Sequence, residues 1–273
     1  MKVVEHSSAQ SFLDATLEYR GAQPILTNLL GSIAEGVVAG RRYDSESWFT
    51  VNDPQGVVGA ALRTAPYHLA VGPMPVAAAH ALGDHLRARR QPLPGINGPV
   101  EVVNAVAERL GHPLAVRMRD VLRVLGTLVE PDAPEGSSRR ATSADLALVT
   151  QWQERFLVEV GLPVHLPDDE TLRLWLDRLW LWEVADQPVA MAGHAPVVAT
   201  PGGLVGRIGP VYTVPESRGR GIGAAITAVV TRELLAEGAT VMLYADADNP
   251  TANGVYERLG FRAVDELIET DLL

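Results

Sequence analysis

The sequence predicts an α/β protein built from two similar halves, and three observations carry that expectation. Apolar residues switch repeatedly between the alternation of a half-buried strand and the 3.6-residue period of a buried helix face. A polar stretch, Glu130-Pro131-Asp132-Ala133-Pro134-Glu135-Gly136-Ser137-Ser138, carries two prolines and a glycine and reads as a linker. Finally, Asn104-Ala105-Val106-Ala107-Glu108-Arg109-Leu110-Gly111 matches Asn253-Gly254-Val255-Tyr256-Glu257-Arg258-Leu259-Gly260 at six of eight positions, at the same place in each half. We therefore assign residues 1–130 to a first domain, 131–138 to a linker and 139–273 to a second domain.

In the first half, residues 8–40 read as helix in two pieces around Pro24. Ser47–Val51 and Val57–Leu62 flank the turn Asn52-Asp53-Pro54-Gln55-Gly56 and predict a hairpin. Tyr67–Gly72 reads as a third strand and Val76–Arg90 as a helix. Pro94–Pro99 reads as a break. Glu101–Leu110 is a helix closed by Gly111, and Arg117–Leu125 supplies closing strands.

The second half repeats the plan. Thr142 is placed to cap a helix, three residues before Asp145. Leu146, Val149, Trp152, Phe156 and Val160 give that helix its buried stripe. A loop with Pro163 and His165 follows, and Asp168-Asp169-Glu170 opens a second helix, where the dipole favours negative charge. Leu181–Ala185 and Val189–Val198 form a hairpin. After the strand ending at Thr213 come a helix, the strand Val241–Asp246, the short helix Thr251–Leu259, and final strands over 261–264 and 267–272.

The chain has no cysteine, which excludes disulfides, thiolate metal sites and a cysteine nucleophile. Its net charge of −10 opposes nucleic-acid binding, which depends on neutralising phosphates, and favours a cationic substrate. No apolar run is long enough to span a bilayer, and the N-terminus lacks the layout of a signal peptide. The expectation is a cytoplasmic protein without a membrane partner.

The most informative stretch is Val211-Tyr212-Thr213-Val214-Pro215-Glu216-Ser217-Arg218-Gly219-Arg220-Gly221-Ile222-Gly223-Ala224. A strand ends at Thr213, Pro215 stops pairing, and three glycines lead into a helix. Glycine lets a ligand reach the bare backbone, and the amides at a helix N-terminus favour an anion. The glycine period does not fit the dinucleotide fingerprint. A triphosphate loop fails because the only lysine is Lys2.

What the stretch resembles is the Arg/Gln-x-x-Gly-x-Gly/Ala loop of the GCN5-related N-acetyltransferases, present here as Arg218-Gly219-Arg220-Gly221-Ile222-Gly223. A second segment, Asn249 through Tyr256 to Gly260-Phe261, is similar to that family's Asn-x(6)-Tyr-x-x-x-Gly-Phe. The resemblance implies two domains of this fold, each a mixed, mostly antiparallel sheet flanked by helices. It further implies acetyl transfer from acetyl-coenzyme A to the amine of a small molecule or protein, with no metal. Val211, Tyr212 and Thr213 would align the thioester. Arg218, Gly219, Arg220, Gly221, Ile222, Gly223 and Ala224 would hold the pyrophosphate. Asn249 and Asn253 would meet the pantetheine arm, and Tyr256 would protonate the leaving thiolate.

The position where some relatives carry a basic glutamate is Tyr244, so Asp246, Glu183, His194 or a water stays open as the base. The first half has Leu69–Val76, with Pro73 and Pro75, where the loop would be, and Ala107 opposite Tyr256. It is therefore expected to be degenerate and without its own cofactor. An acetyl-coenzyme A sensor without chemistry, an enzyme for longer acyl groups, and a homodimer all remain open.

Overall fold

The computed structural model describes residues 1–273 except Gln91, Pro163, His165, Pro167 and Asp168, and the side chain of Asp169. The expectations for Pro163, His165 and Asp168 thus lie outside the described residues.

The first half runs β1 (Lys2–His6), α1 (Ala9–Ala15), α2 (Leu17–Ala22), α3 (Asn28–Val38), β2 (Glu46–Asp53), β3 (Gly56–Thr64), β4 (Leu69–Val71), α4 (Val76–Arg89), β5 (Gly95–Pro99), α5 (Val100–Leu110) and β6 (Leu114–Leu125). The second runs β7 (Ser137–Arg140), α6 (Leu146–Glu159), α7 (Asp169–Leu176), β8 (Leu179–Val184), β9 (Gln187–His194), β10 (Val198–Thr200), β11 (Gly203–Thr213), α8 (Ile222–Ala236), β12 (Thr240–Asp246), α9 (Pro250–Arg258) and β13 (Phe261–Leu272). Thr142 caps not α6 but the 3-10 turn Ser143–Asp145 that leads into it, in a capping box with Asp145.

Both halves contribute to one 13-stranded sheet, in the order β1-β2-β3-β4-β5-β13-β6-β12-β11-β9-β8-β7, with β10 beside β11. The centre of that order is a reciprocal exchange. β13, from the second half, pairs with β5 of the first, and β6, from the first half, pairs with β12 of the second. β6 and β13 pair with each other over nearly their whole length.

Three local expectations change, and one strand, β1, had no expectation. Pro94–Pro99 is not a break but contains β5, wedged between β4 and β13. Its glycines are there for closeness: a Cβ on Gly95 would lie 1.8 Å from the Thr270 carbonyl oxygen. Ser137 and Ser138, read as the end of the linker, begin β7 and pair with β8. The two closing strands over 261–272 are one strand, irregular between Ala263 and Asp265. β1 pairs with β2 at the sheet edge, where a five-residue strand gave no turn signals to read.

Helices cover both faces. In the first half α4 and α5 pack on one side around Leu82, Val103 and Ile96, and α1 and α3 on the other around Phe12, Leu30 and Leu62. In the second, α8 packs on one side around Ile226, Val230 and Leu243, and α6 and α7 on the other around Trp152, Leu181 and Met191. Leu122, Val205, Met242 and Leu267, with Ile25 and Leu26 against them, form an apolar seam between the halves. Across it, Asn28 Nδ2 donates to the Val205 carbonyl at 3.2 Å. Among the described residues, no helix is long and apolar enough to cross a membrane.

Candidate active site

β11 and β12 run parallel and pair from Val205–Thr240 to Ile208–Leu243. β11 then bulges between Ile208 and Val211 and continues with β9 alone, through Val211–Ala192, Tyr212–Met191 and Thr213–Ala190. The two strands therefore part, and among the described residues the β12-facing edge of Val211–Thr213 has no strand beside it. A cavity of about 1440 Å³ opens at this point and extends between the two halves.

The glycine loop borders the cavity. Gly219 and Gly221 adopt φ of +75° and +80°, the left-handed region that glycine tolerates. Gly221 is the N-cap of α8 and provides no capping side chain. Among the described residues, the amides of Gly219 to Ala224 donate to no protein acceptor, and the first helical hydrogen bond is Ala225 N to the Gly221 carbonyl. A row of unfilled donors at the positive end of a 15-residue helix is a built anion cradle. Arg218 is braced there: Nε donates to the Thr213 carbonyl at 2.8 Å and Nη2 pairs with Glu159 at 2.8 Å. Arg220 turns away to Glu135 and does not line the cavity.

The Asn249–Tyr256 segment divides in the same way. Asn249 lines the cavity and caps α9 by accepting from Ala252 N at 3.0 Å. Asn253 points elsewhere: its Nδ2 donates to the carbonyls of Asp246 and Asn249, and its Oδ1 accepts from Arg123 Nε at 3.0 Å. With every amide atom engaged, it holds α9 against β6. Tyr256 lines the cavity, its ring edge-on to Phe261 with centroids 6.2 Å apart. Burial pushes its phenol up to about 12, so it keeps its proton at neutral pH.

Of the three candidate bases, only Asp246 lines the cavity. Glu183 accepts from Arg139 Nε at 2.7 Å. His194 lies toward α8, with Nδ1 at 2.8 Å from the Ala195 carbonyl and Nε2 3.9 Å from Glu233. Two acids that sequence reasoning missed join Asp246: Asp120 on β6 and Glu269 on β13. Asp246 and Asp120 are cross-strand partners. Burial, then the charges of Glu269 and Asp246, raises the Asp120 carboxyl to about 6. His68 Nδ1 lies 2.7 Å from Glu269. The signal for these acids was the repeat itself: β6 and β13 follow the matching segments, but each half was read as closing on itself.

Of Trp175, Trp180 and Trp182, which follow one another in α7 and β8, Trp175 lines the cavity. Trp180 donates to Glu233 at 2.6 Å and Trp182 to the Glu135 carbonyl at 3.0 Å, both beside α8.

Comparison with known proteins agrees with this architecture. Residues 195–268 match the family model described as FR47-like protein. The chain is 31% identical to a mycothiol acetyltransferase of Streptomyces avermitilis, over 81% of this chain and 72% of that one. It is 30% identical to one of Streptomyces scabiei, over 93% and 80%. Among solved structures it is similar in fold to a GNAT-family acetyltransferase from Colwellia psychrerythraea (TM-score 0.62, 12% identity, 100% of both chains). It is also similar to a tandem GNAT protein from the clavulanic acid biosynthesis pathway (TM-score 0.60, 14% identity, 99% and 98%). The chain belongs to the GCN5-related N-acetyltransferase family, as an acyltransferase with two such units in tandem.

Proposed function

We propose that the protein transfers an acetyl group from acetyl-coenzyme A, held by residues 139–273, directly to an amine, in the cytoplasm. One observation carries this reading: the unpaired edge of Val211–Thr213 runs into the unfilled amides of Gly219–Ala224, and both open on the cavity that Tyr256 lines. The pantetheine arm pairs along that edge and the pyrophosphate rests on the loop amides beside Arg218. Preorganised backbone donors polarise the thioester carbonyl. Tyr256 protonates the departing thiolate. Asp120, held near pH 6, takes the proton of the attacking amine, with Asp246 and Glu269 drawing the ammonium in. The degenerate loop leaves residues 1–130 without a cofactor of their own.

Acetyl-coenzyme A should raise the melting temperature of the protein, and Arg218→Glu combined with Gly221→Pro should abolish the shift. An unaltered shift in that double variant would sink the assignment.

A further inference from the structure

The acidic group is one end of the cavity's polar lining; three arginines, Arg41, Arg178 and Arg207, form another. Arg41 follows α3 in the first half, Arg178 immediately precedes β8, and Arg207 lies in β11. All three line the same cavity; burial lowers the pKa of Arg178 and Arg207, Asp177 opposes this at Arg178, and the charge of Arg41 lowers both further. Other arginines of the second half have acids, as Arg218 with Glu159, Arg220 with Glu135 and Arg139 with Asp145. Among the described residues none of these three forms an ion pair, and the Nε atoms of Arg178 and Arg207 have no hydrogen-bond partner. Arg207 donates from Nη2 to Ser32 Oγ at 3.0 Å. Tyrosine rings back the cluster, with Arg41 4.8 Å from the Tyr43 centroid and Arg207 5.9 Å from that of Tyr244. The Tyr244 hydroxyl is buried without a partner.

A partly buried guanidinium without an ion-pair partner is costly, and the charge of Arg41 beside Arg178 and Arg207 adds to that cost. Such an arrangement persists where a ligand completes it. Fork-shaped donors suit a carboxylate or a phosphate. We propose that Arg41, Arg178 and Arg207 form an anion-binding subsite for the acceptor, which is therefore an amine that also carries a carboxylate or phosphate group. This rests on the reading of the site as an acetyl-transfer centre. It reverses the inference from net charge, because the local field around these residues is positive although the chain as a whole is acidic.

The sheet register sets the scale of the ligand. Arg207 is level with Met242, and Asp246 is four residues further along β12, roughly 13 Å away at the backbone. The anion and the reacting amine thus belong on different parts of the acceptor, so a simple α-amino acid is too short.

Inorganic phosphate, titrated at constant ionic strength, should give saturable thermal protection of the full chain. Its apparent affinity should fall about tenfold in Arg207→Met and, separately, in Arg178→Met. It should persist in Arg87→Met, an exposed arginine paired with Asp84. Phosphate can also occupy the glycine loop, so Arg218→Glu decides between the two places. Protection that survives both cavity variants but vanishes in Arg218→Glu overturns the subsite, as does the lack of saturable protection in the wild type. Acetate in the same titration separates a carboxylate preference from a phosphate one.

With acetyl-coenzyme A, 6-aminohexanoate should then exceed hexylamine at least tenfold in kcat/KM, and Arg207→Met should bring the two to parity. Parity in the wild type overturns the subsite and leaves acetyl transfer standing. Failure of the acetyl-coenzyme A melting shift would instead remove the proposed function while the phosphate result stands.

Discussion

Tyr256 and Asp120 face the same cavity with opposite requirements, and burial serves both. A phenol raised to about 12 keeps the proton that a thiolate needs. Tyr256→Phe should lower kcat by roughly 10²–10⁴ and leave the KM for acetyl-coenzyme A nearly unchanged, as steady-state kinetics would read. Asp120 must instead be ionised to accept a proton. Its carboxyl is raised from 3.8 to about 6, so kcat/KM should fall as pH drops through about 6, and Asp120→Asn should remove that limb. Stability moves the other way. A raised carboxyl favours the protonated folded state, so the penalty is absent below pH 3.8 and complete above about 6. It amounts to roughly 3 kcal/mol, and Asp120→Asn should recover part of it at pH 7 in a denaturant titration while losing turnover. A fall in stability in that variant would contradict this account.

At the scale of elements, the end of β11 at Thr213 and the glycine entry to α8 were legible, because both depend on local chemistry: a proline and glycines at fixed offsets; the bulge that parts β11 from β12 was not. The amphipathic helices were legible for the same reason. β5 was not, because Gly95 and Gly98 carry no side-chain pattern, and their purpose appears only when Thr270 and Val71 come close. Gly95→Ala should therefore destabilise by at least about 1–3 kcal/mol, read as a lowered melting temperature, although the residue is in neither cavity nor core helix. Asn253 shows the converse limit. It lies inside the matching segment, four residues after Asn249, but β6 of the other half, through Arg123, determines where its amide points.

At the scale of the molecule, β6 and β13 were each recognisable as strands, while their exchange was not, since partner choice between two similar halves leaves no mark on either strand alone. Once exchanged, the halves share a sheet and the buried seam of Leu122, Val205, Met242 and Leu267. Thermal unfolding of the full chain should then be a single cooperative transition seen alike by near- and far-UV signals. Limited proteolysis within 131–136 should leave the two fragments associated under native conditions and separable only in denaturant. Two separate transitions would contradict this. Leu122→Ala, at a residue with no exposed surface, should cost about 2–5 kcal/mol and lower the one transition as a whole.

The pairing of Asp120 with Asp246 also bears on how such a chain changes over generations. A half without the glycine loop would ordinarily be held only by the need to fold. Here it supplies a carboxylate to the cavity, and an arginine as well. Selection for a given acceptor therefore acts on codons in both halves at once.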